Sequence, residues 1–517
     1  MNGGTTSPVP DPGSRASGLG DRRPARGFGA ALGWTVLGAL VPGTAFLAAG
    51  RRRLGAVVLA VFLVLVAGAV WLATGGRRFA ARTAVDTDVL LWIGIGGAVL
   101  ALLWAAVVVA GYRMLVPPGT SRGRHMVGAL VVAVLVAGIA VPAAFVGQLV
   151  TTSRDLIDGV FADDVESATV DVDDDDPDPF ADQERVNVLL LGGDGGEGRE
   201  GVRTDTVMVA SIDTDTGDTV LLSLPRNLQD LPFPEDSPLA EVYPDGFWAG
   251  SESESLLNAV YRNGPAWYPD VIGPTANPGA DFLKLGVGEA LGLDIDYYVL
   301  VNLEGFSQLV DALGGITVDV NNWVPIGGEP TLGILPDDYI APGPDQHMGG
   351  ERALDFTRGR FGLSDYDRMA RQRCAINAIV EAADPVTLLQ RYQRLARTTE
   401  DIVRTDIPRS VLDDFVDLAF LVQDADIRSV VFDTDVIDPA YPDYDRIRTL
   451  VDEALDPAPP APDEAPAPAP DEAPAPAPDE APDAAPDPSA DLADACAYDP
   501  ERAEQALAEG EPPTRRG

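Results

Sequence analysis

Long apolar runs fill much of the first third of this chain and set the strongest limit on how it can fold. Three runs are long enough to cross a bilayer as helices: Leu54–Gly75, Val89–Gly111 and Met126–Val150. A fourth run, Gly27–Gly50, carries Pro42-Gly43 at its centre. We therefore expect an α-helical multi-span membrane region over residues 27–150.

Arginine clusters flank these runs and indicate the topology. Because positively charged loops stay in the cytoplasm, we favour three true spans, with Gly27–Gly50 as a re-entrant segment that turns back at Pro42-Gly43. Residues 1–26 then form a disordered cytoplasmic terminus, and the C-terminal region lies outside the cell. Four spans with an external N-terminus place the C-terminal region on the same side. The runs hold no Asp, Glu, Lys or His, which favours an anchor over a transport pathway.

The charge of the chain argues against one class of partner. Its formal net charge is −43 and its pI is about 4.1, so it lacks the basic face that nucleic-acid binding needs. Lys284 is the only lysine, and nearly all positive charge is arginine, whose planar fork of donors suits phosphate oxygens. The histidines and cysteines show no zinc-ligand spacing and no arrangement for Ser-His or Cys-His catalysis.

Composition divides the rest of the chain into four parts. Residues 151–184 form an acidic stalk containing "DVDDDDPDPF", which favours a solvated linker over a calcium site. Residues 185–455 read as a globular α/β domain. Residues 456–492 repeat "APAPDEAP" and predict an extended Pro/Ala/Asp/Glu-rich linker, and residues 493–517 form a C-terminal tail.

Alternating strand and helix patterns predict a three-layer domain around a mixed sheet. The stretch "GERALDFTRGR" reads as a helix that runs into a strand. The next helix begins with "SDYDRMARQR", where Ser364 is the N-cap and Asp367 completes a capping-box variant. This helix carries Cys374. We expect a Cys374–Cys496 disulfide that ties the tail to the domain, with two free buried thiols as the alternative.

A predicted hairpin brings charged residues to one edge of the sheet. Its turn centres near Thr216, so Arg226 lies opposite Asp205 or Thr206. Arg203 precedes the same hairpin, and Asp194 ends the neighbouring strand. We expect these two aspartates and two arginines to meet at the edge where α/β folds place their sites.

A second group of arginines lies in "TRGRFGLSDYDRMARQR". Arg358 and Arg360 are two apart on the predicted strand and share a face. Arg368, Arg371 and Gln372 share a face at a helix N-terminus, which itself attracts anions. Together with Asp194 and Asp205, this group suits a divalent cation and a pyrophosphate. Arg352 and Arg373 are expected at the surface.

The order of these motifs resembles the LytR-CpsA-Psr family of cell-wall enzymes. The resemblance covers residues 186–385 and rests on "LLLGGDG", "GVRTDTVMVASID", "VLLSLPRN", "LLNAVYRNG", "DYYVLVNLEGFSQLVDALGGITVDV" and "ERALDFTRGRFGLSDYDRMARQR". It implies an extracytoplasmic phosphotransferase with an α/β/α sandwich fold. Such an enzyme moves a glycopolymer phosphate from a polyprenyl-pyrophosphate carrier to a muramic-acid hydroxyl of peptidoglycan.

The resemblance also implies roles for particular residues. Asp194 and Asp205 are the implied ligands of Mg²⁺ or Mn²⁺, and they are the implied catalytic groups with Arg226. One of the two aspartates is the candidate base. The implied pyrophosphate-binding residues are Arg203, Arg226, Arg358, Arg360, Arg368, Arg371 and Gln372. Helices at 281–291 and 303–312 are expected either to line a tunnel for the prenyl chain or to pack as ordinary core.

Three departures from the family pattern leave alternatives open. The usual Pro-Arg-Asp reads Pro225-Arg226-Asn227, Leu256 replaces a common lysine, and the Arg360–Ser364 stretch is short. Arg262 is a candidate for the missing lysine's charge. A hydrolase of prenyl-pyrophosphate sugars and a non-catalytic membrane-bound cell-wall regulator are the alternative functions. The anchor, the arginine bias and the acidic Pro-Ala tail resemble those of actinobacteria, with arabinogalactan, teichoic-type or capsular donors.

Overall fold

The computed structural model describes residues 24–161, 183–194, 202–383, 403–434, 436–456 and 489–515, with residues 167, 169, 179 and 180. The predicted disordered terminus, the acidic run of the stalk and most of the Pro/Ala/Asp/Glu-rich linker lie outside the described residues. The described chain divides into two compact units. One consists of residues up to 77 and 88–151, and the other of residues 78–87 and those from 152 onward.

The first unit is helical. The N-terminal helices are α1 (Phe28–Leu40), α2 (Thr44–Ala48), α3 (Arg52–Thr74), α4 (Arg77–Val85), α5 (Thr87–Leu115) and α6 (Arg122–Val160). Nearly all of α4 and the end of α6 from residue 152 belong to the second unit. By length and composition, α3, α5 and α6 could each cross a membrane. The helix α6 continues ten residues beyond the predicted end of its span, because Leu156 and Ile157 extend its apolar pattern and are buried.

The run Gly27–Gly50 is broken where the sequence indicated. The helix α1 ends at Leu40, and α2 begins after Gly43, which adopts a left-handed φ of 99°. A Cβ at Gly43 would lie 2.4 Å from the carbonyl oxygen of Gly55, so only glycine lets α2 approach α3 this closely. The break is observed, and its re-entry into a membrane stays a prediction.

The second unit is built on a seven-stranded mixed sheet. Its strands are β1 (Arg185–Gly193), β2 (Thr204–Asp213), β3 (Thr219–Leu224), β4 (Tyr297–Asn302), β9 (Val403–Thr405), β10 (Ile427–Val431) and β11 (Ser489–Asp491), in the order β11-β10-β3-β2-β1-β4-β9. The strand β1 pairs antiparallel with β2 and parallel with β4. The predicted mixed sheet is therefore confirmed.

Helices and short strands surround this sheet. The helices are α7 (Pro238–Val242), α8 (Glu252–Ser255), α9 (Leu257–Trp267), α10 (Pro278–Leu291), α11 (Leu303–Leu313), α12 (Gly350–Arg358), α13 (Asp365–Ala382), α14 (Leu412–Asp424), α15 (Tyr444–Leu455), α16 (Leu492–Cys496) and α17 (Pro500–Glu509). Two small sheets pair β5 (Ile316–Val320) with β8 (Gly343–Met348), and β6 (Val324–Ile326) with β7 (Asp338–Ile340).

One face of the main sheet carries the largest core. Leu189, Val209 and Leu222 are register partners on β1, β2 and β3, and all three are fully buried. They pack in one cluster with residues of α9, α10 and α15, among them Phe282 and Val451. Because strand side chains alternate between faces, Leu190 and Met208 point to the opposite side of the sheet.

The C-terminal segment 489–515 completes the second unit. Its first strand, β11, begins inside the stretch assigned to the linker and pairs antiparallel with β10 at the sheet edge. Cys496 forms a disulfide with Cys374 of α13. Farther along the segment, the indole of Trp323 donates a hydrogen bond of 2.9 Å to the carbonyl of Ala506. The tail is thus an integral part of the domain.

Candidate functional site

The hairpin brings Asp205 and Arg226 together as its register predicts. Val207 pairs with Leu224, so the residues two positions outward, Asp205 and Arg226, face each other. Nη1 of Arg226 donates to Oδ1 of Asp205 at 2.9 Å. An ion pair therefore lies at the edge of the sheet where β1 and β3 end and β2 begins.

Asp194 lies at the same end of the sheet. Its N–H donates to the carbonyl of Arg203 at 3.1 Å, and its Oδ1 accepts from the N–H of Arg203 at 2.8 Å. The Arg203 guanidinium donates to Glu254 at 2.7 Å, and Glu254 also accepts from Arg262. Asp194, Arg203, Asp205 and Arg226 thus meet at one edge, and Arg262 joins them through Glu254.

The helix α13 brings a buried arginine to this edge. The capping box of Ser364 and Asp367 is present, and it starts the helix where the sequence predicts. Arg368 is only 4% exposed, and its Nη2 donates to the backbone carbonyl of Asp205 at 3.2 Å. Its Nε is buried and has no hydrogen-bond partner among the described residues.

Asp365 is a site residue that the sequence reasoning missed. Its Oδ2 lies 3.3 Å from Nε of Arg226 and 3.0 Å from Nη2 of Arg368. It therefore holds two arginines that belong to different elements. Its spacing of three residues from Arg368 on one helix was the available signal.

Arg358 and Arg360 do not lie on a strand, which corrects the prediction. Arg358 is the last residue of α12, and Arg360 follows in a loop. Gly359 follows the helix as its C-cap, and a Cβ there would lie 2.5 Å from the carbonyl oxygen of Pro325, so glycine lets the backbone approach β6 closely. Both side chains still line the cavity described below. Arg360 also lies 3.8 Å from Glu329.

Arg371 is not brought to the site, although the sequence grouped it with Arg368 and Gln372. Its guanidinium donates to the carbonyls of Phe356 and Gly359, which belong to the end of α12. Burial lowers the pKa of Arg371 to about 10. Arg371 therefore satisfies helix-end carbonyls and fixes α12 against α13.

The two arginines expected at the surface differ. Arg352 is exposed, as predicted. Arg373 is partly buried, and its Nη1 donates to Ser429 of β10 at 2.5 Å. Burial lowers the pKa of Arg373 to about 10. The surface prediction for Arg373 was wrong, because this side of α13 packs against the sheet.

A cavity of about 530 Å³ lies beside these residues. This volume is within the range of small-molecule sites. Its charged and polar lining comes from Asp194, Asp205, Glu329, Asp355, Arg358, Arg360, Arg368 and Gln372. Its apolar lining includes Leu190, Met208, Val299, Val301, Phe306, Leu309, Ile376 and Ile379. Met208 is three residues from Asp205 along β2, about 10 Å at the usual strand rise, so the charged end and the apolar interior are separate.

The two candidate tunnel helices have different environments. Phe306 and Leu309 of α11 line the cavity. Phe282, Leu283 and Val287 of α10 are fully buried in the core on the other face of the sheet. The helix at 281–291 is therefore ordinary core, and the helix at 303–312 belongs to the cavity.

Three carboxyl groups that line the cavity have shifted pKa values, and they do not all move in the same direction. Hydrogen bonds from Thr331 lower the pKa of Glu329. Burial alone would raise the pKa of Asp205, but the hydrogen bond and charge of Arg226, the charge of Arg368 and a contact from Asn258 outweigh burial and lower it. Burial and the neighbouring Glu351 raise the pKa of Asp355 against the charges of Arg358 and Arg352. Asp355 thus accepts a proton more readily than Asp205.

The oxygens around Asp205 suit a hard divalent cation. Asp194 and Asp205 supply carboxylates that line the cavity, and the amide Nδ2 of Asn258 donates to Oδ1 of Asp205 at 3.4 Å. Magnesium is commonly held by one or two carboxylates and completes its octahedral shell with water and substrate phosphate. Among the described residues, no group of three or more His, Cys, Asp or Glu could hold a metal.

Comparison with known families gives a match over more than half of the chain. A model of the LytR_cpsA_psr family matches residues 156–437. The match includes every site residue named above, from Asp194 to Gln372.

Curated proteins resemble the same region. The polyisoprenyl-teichoic acid–peptidoglycan teichoic acid transferase TagU of Enterococcus faecalis is 29% identical over 232 residues, which are 44% of this chain and 62% of that protein. TagU of Bacillus mycoides is 27% identical over 45% of this chain and 63% of its own length. Biofilm regulatory protein A of Streptococcus mutans is 27% identical over 44% and 52%, respectively. The chain therefore spans less than two thirds of these relatives.

Solved structures resemble the chain more distantly. The crystal structure of B. subtilis TagV covers 54% of this chain and 99% of its own, with 23% identity and a TM-score of 0.36. The crystal structure of B. subtilis TagT covers 57% and 97%, with 17% identity and a TM-score of 0.34.

Proposed function

This chain belongs to the LytR-CpsA-Psr family, and we propose that it is a membrane-anchored extracytoplasmic phosphotransferase. It transfers a glycopolymer phosphate from a polyprenyl-pyrophosphate carrier onto peptidoglycan and forms a phosphodiester. The names of the TagU relatives support this donor and acceptor.

The observation that carries the proposal is the two-part lining of the cavity. Leu190, Met208 and Phe306 belong to an apolar interior, and Asp205 and Arg368 belong to a charged end. A polyprenyl pyrophosphate has the same two parts, an apolar chain and a charged head. Apolar burial holds the chain, and guanidinium groups hold the head by charge-assisted hydrogen bonds.

The arginines have distinct tasks in binding the pyrophosphate. Arg358, Arg360 and Arg368 line the cavity and contact phosphate oxygens, together with Gln372. Arg226 lies behind Asp205 and orients its carboxylate. The free Nε–H of Arg368 is a buried donor that a phosphate oxygen would satisfy.

Asp194 and Asp205 would hold Mg²⁺ or Mn²⁺. A cation bound there supplies positive charge against the pyrophosphate as negative charge moves to the departing group. The lowered pKa of Asp205 keeps its carboxylate ionised for this role.

In the reaction, the acceptor hydroxyl oxygen attacks the phosphorus that carries the glycan. The bond between this phosphorus and the bridging oxygen breaks, and prenyl phosphate leaves with that oxygen. The hydroxyl proton passes to a carboxylate, for which Asp194 and Asp205 are the candidates from the family pattern. Arg358 and Arg360 hold the phosphate oxygens in line for the attack.

The proposal includes the finer architecture. The catalytic domain is a three-layer α/β/α sandwich outside the membrane, on a multi-pass anchor made of α3, α5 and α6. The arginine bias and the repeated acidic Pro-Ala tract support an actinobacterial source.

The test uses the full-length protein in detergent micelles with magnesium, a short prenyl-pyrophosphate-linked glycan and peptidoglycan fragments. Mass spectrometry detects a phosphodiester-linked product. We expect this product with the wild type and its loss in Arg226→Ala and Arg358→Ala. Arg352→Ala is the matched control, because Arg352 is exposed on the same helix as Arg358. Prenyl phosphate and sugar phosphate without the linked product would instead identify a hydrolase, and binding without turnover would identify a regulator.

A further inference from the structure

Three exposed aromatic side chains lie on two chain segments that meet at Gly250. Trp248 and Trp267 are 55% and 56% exposed, and Tyr268 is 37% exposed. Large apolar side chains on a protein surface usually mark a binding site when they are grouped. Nothing in the donor-binding role described above uses these residues.

The local structure holds the two indoles at the surface. Phe247 and Ala249 on either side of Trp248 are buried, so Trp248 points outward between two anchored neighbours. Gly250 has a left-handed φ of 83°, and a Cβ there would lie 3.5 Å from the six-membered ring of Trp267. The Trp267 ring therefore lies against the loop that carries Trp248.

Segment 250–254 connects these aromatic residues to the charged site. At one end, Gly250 contacts Trp267. At the other end, Glu254 pairs with Arg203, whose backbone N–H donates to Asp194. Gly250 and Glu254 are four residues apart and therefore at most about 14 Å apart. The ion pair of Glu254 with Arg203 continues this link toward Asp194.

We propose that Trp248, Trp267 and Tyr268 form an aromatic platform that binds the acceptor glycan strand. The inference rests on the proposed function and assigns its acceptor subsite. Aromatic faces pack on the apolar C–H faces of sugar rings, and nearby polar groups bind the ring hydroxyls. Glu252, Glu254 and Arg262 supply such polar groups in the adjoining segment. A neutral sugar strand suits this mixed surface better than a bilayer, which would have to bury these charges.

The experiment uses full-length protein in detergent micelles, with Trp248→Ala/Trp267→Ala as the main variant. Leu507→Ala is the control, because Leu507 is a 47% exposed apolar residue on α17. Trp248→Phe/Trp267→Phe keeps aromatic rings and tests rescue. The readouts are co-sedimentation with purified peptidoglycan, the KM for soluble peptidoglycan fragments, and donor affinity. Thermal unfolding shows that each variant is folded.

We expect the alanine variant to raise the acceptor KM by about tenfold, to weaken co-sedimentation and to leave donor affinity unchanged. The phenylalanine variant should recover most of both acceptor readouts. A folded alanine variant with wild-type KM and co-sedimentation would overturn the platform while the transferase function stands. In a second outcome, the wild type sediments with peptidoglycan but forms no linked product, and the alanine variant loses this binding. That result would support the platform and overturn the transferase function. A wild type that neither sediments with peptidoglycan nor modifies it would overturn both.

Discussion

The two faces of the main sheet differ in how they are filled. On one face, Leu189, Val209 and Leu222 are completely buried against helices. On the other, their sequence neighbours Leu190 and Met208 line a cavity of about 530 Å³. The same strands thus contribute both to a closed core and to the wall of a cavity.

The helices, rather than the strands, create this difference. On the filled face, a Cβ at Gly286 of α10 would lie 2.5 Å from Leu231, and one at Gly264 of α9 would lie 2.4 Å from Phe282. These glycines permit close packing without voids. On the other face, Phe306 and Leu309 of α11 lie along the cavity. The helices on one face therefore close a core, and α11 on the other face borders the cavity to which we assign donor binding.

The largest expected effect tests the filled face. Phe282→Ala should lower the free energy of unfolding by about 3–5 kcal/mol, because it leaves a void in a closed core. Phe306→Ala is the matched change on the cavity face, and it should cost clearly less because Phe306 already borders empty space. Chemical denaturation of the full-length protein in detergent measures both. Equal losses would contradict the contrast between the faces.

The next effect concerns two arginines on the same helix. Arg368→Ala should lower kcat/KM for the proposed transfer by about 100-fold, since it removes a buried donor at the charged end. Arg371→Ala should mainly lower the melting temperature, because Arg371 binds the carbonyls of Phe356 and Gly359. Transfer kinetics and thermal unfolding of the two variants separate these roles. A larger kinetic loss in the folded Arg371 variant would reverse the assignment.

Filling the cavity should give a smaller effect. Val299→Phe places a ring in the cavity and should weaken the binding of a long-chain prenyl donor by about tenfold, with little change in stability. Val209→Phe is the matched change on the filled face, where overpacking should cost about 1–3 kcal/mol of stability. Donor titrations and denaturation compare the two variants. Unchanged affinity for the long-chain donor in Val299→Phe would show that the prenyl chain does not occupy this cavity.

The smallest effect is a shift in pH dependence. The folded-state pKa of Asp205 is below its ordinary value of 3.8, so the stabilisation from its ionised form is present above that value. It is lost as the pH falls through the lowered pKa. Arg226→Met removes the hydrogen bond and the charge that lower the pKa of Asp205 against the effect of burial. It should therefore move the acid limb of the residual kcat/KM to higher pH. The pH profile of Arg352→Met should match that of the wild type. If the acid limb does not move in Arg226→Met, the ionisation of Asp205 does not determine that limb.

Local rules predicted much of the site from the sequence. Pairing across the turn near Thr216 gave the Asp205–Arg226 contact, and Ser364 with Asp367 gave the start of α13. These features depend on neighbours in the chain, so spacing is enough. The metal and pyrophosphate roles of these residues stay predictions.

Features that depend on contacts between residues far apart in the sequence could not be predicted from spacing along the chain. Helices α10 and α11 both carry apolar residues, and their packing partners show that α10 belongs to the core and α11 borders the cavity. Arg368 and Arg371 share a helix turn, but the end of α12 takes the side chain of Arg371. The strand predicted at Arg358 and Arg360 was wrong, because α12 continues through Arg358 and Arg371 of α13 binds the carbonyls at its end.

The cross-link between Cys374 and Cys496 has a consequence for the timing of assembly. The two cysteines are 122 residues apart, so α13 is synthesised long before the residue that fastens it. Its partner segment also supplies β11, which closes one edge of the sheet. The arginine-bearing helix can be locked in place only after residue 496 has been made and delivered to the same compartment. The disulfide can therefore form only in a chain that has been translated as far as Cys496. A chain that ends earlier would carry α13 without this cross-link.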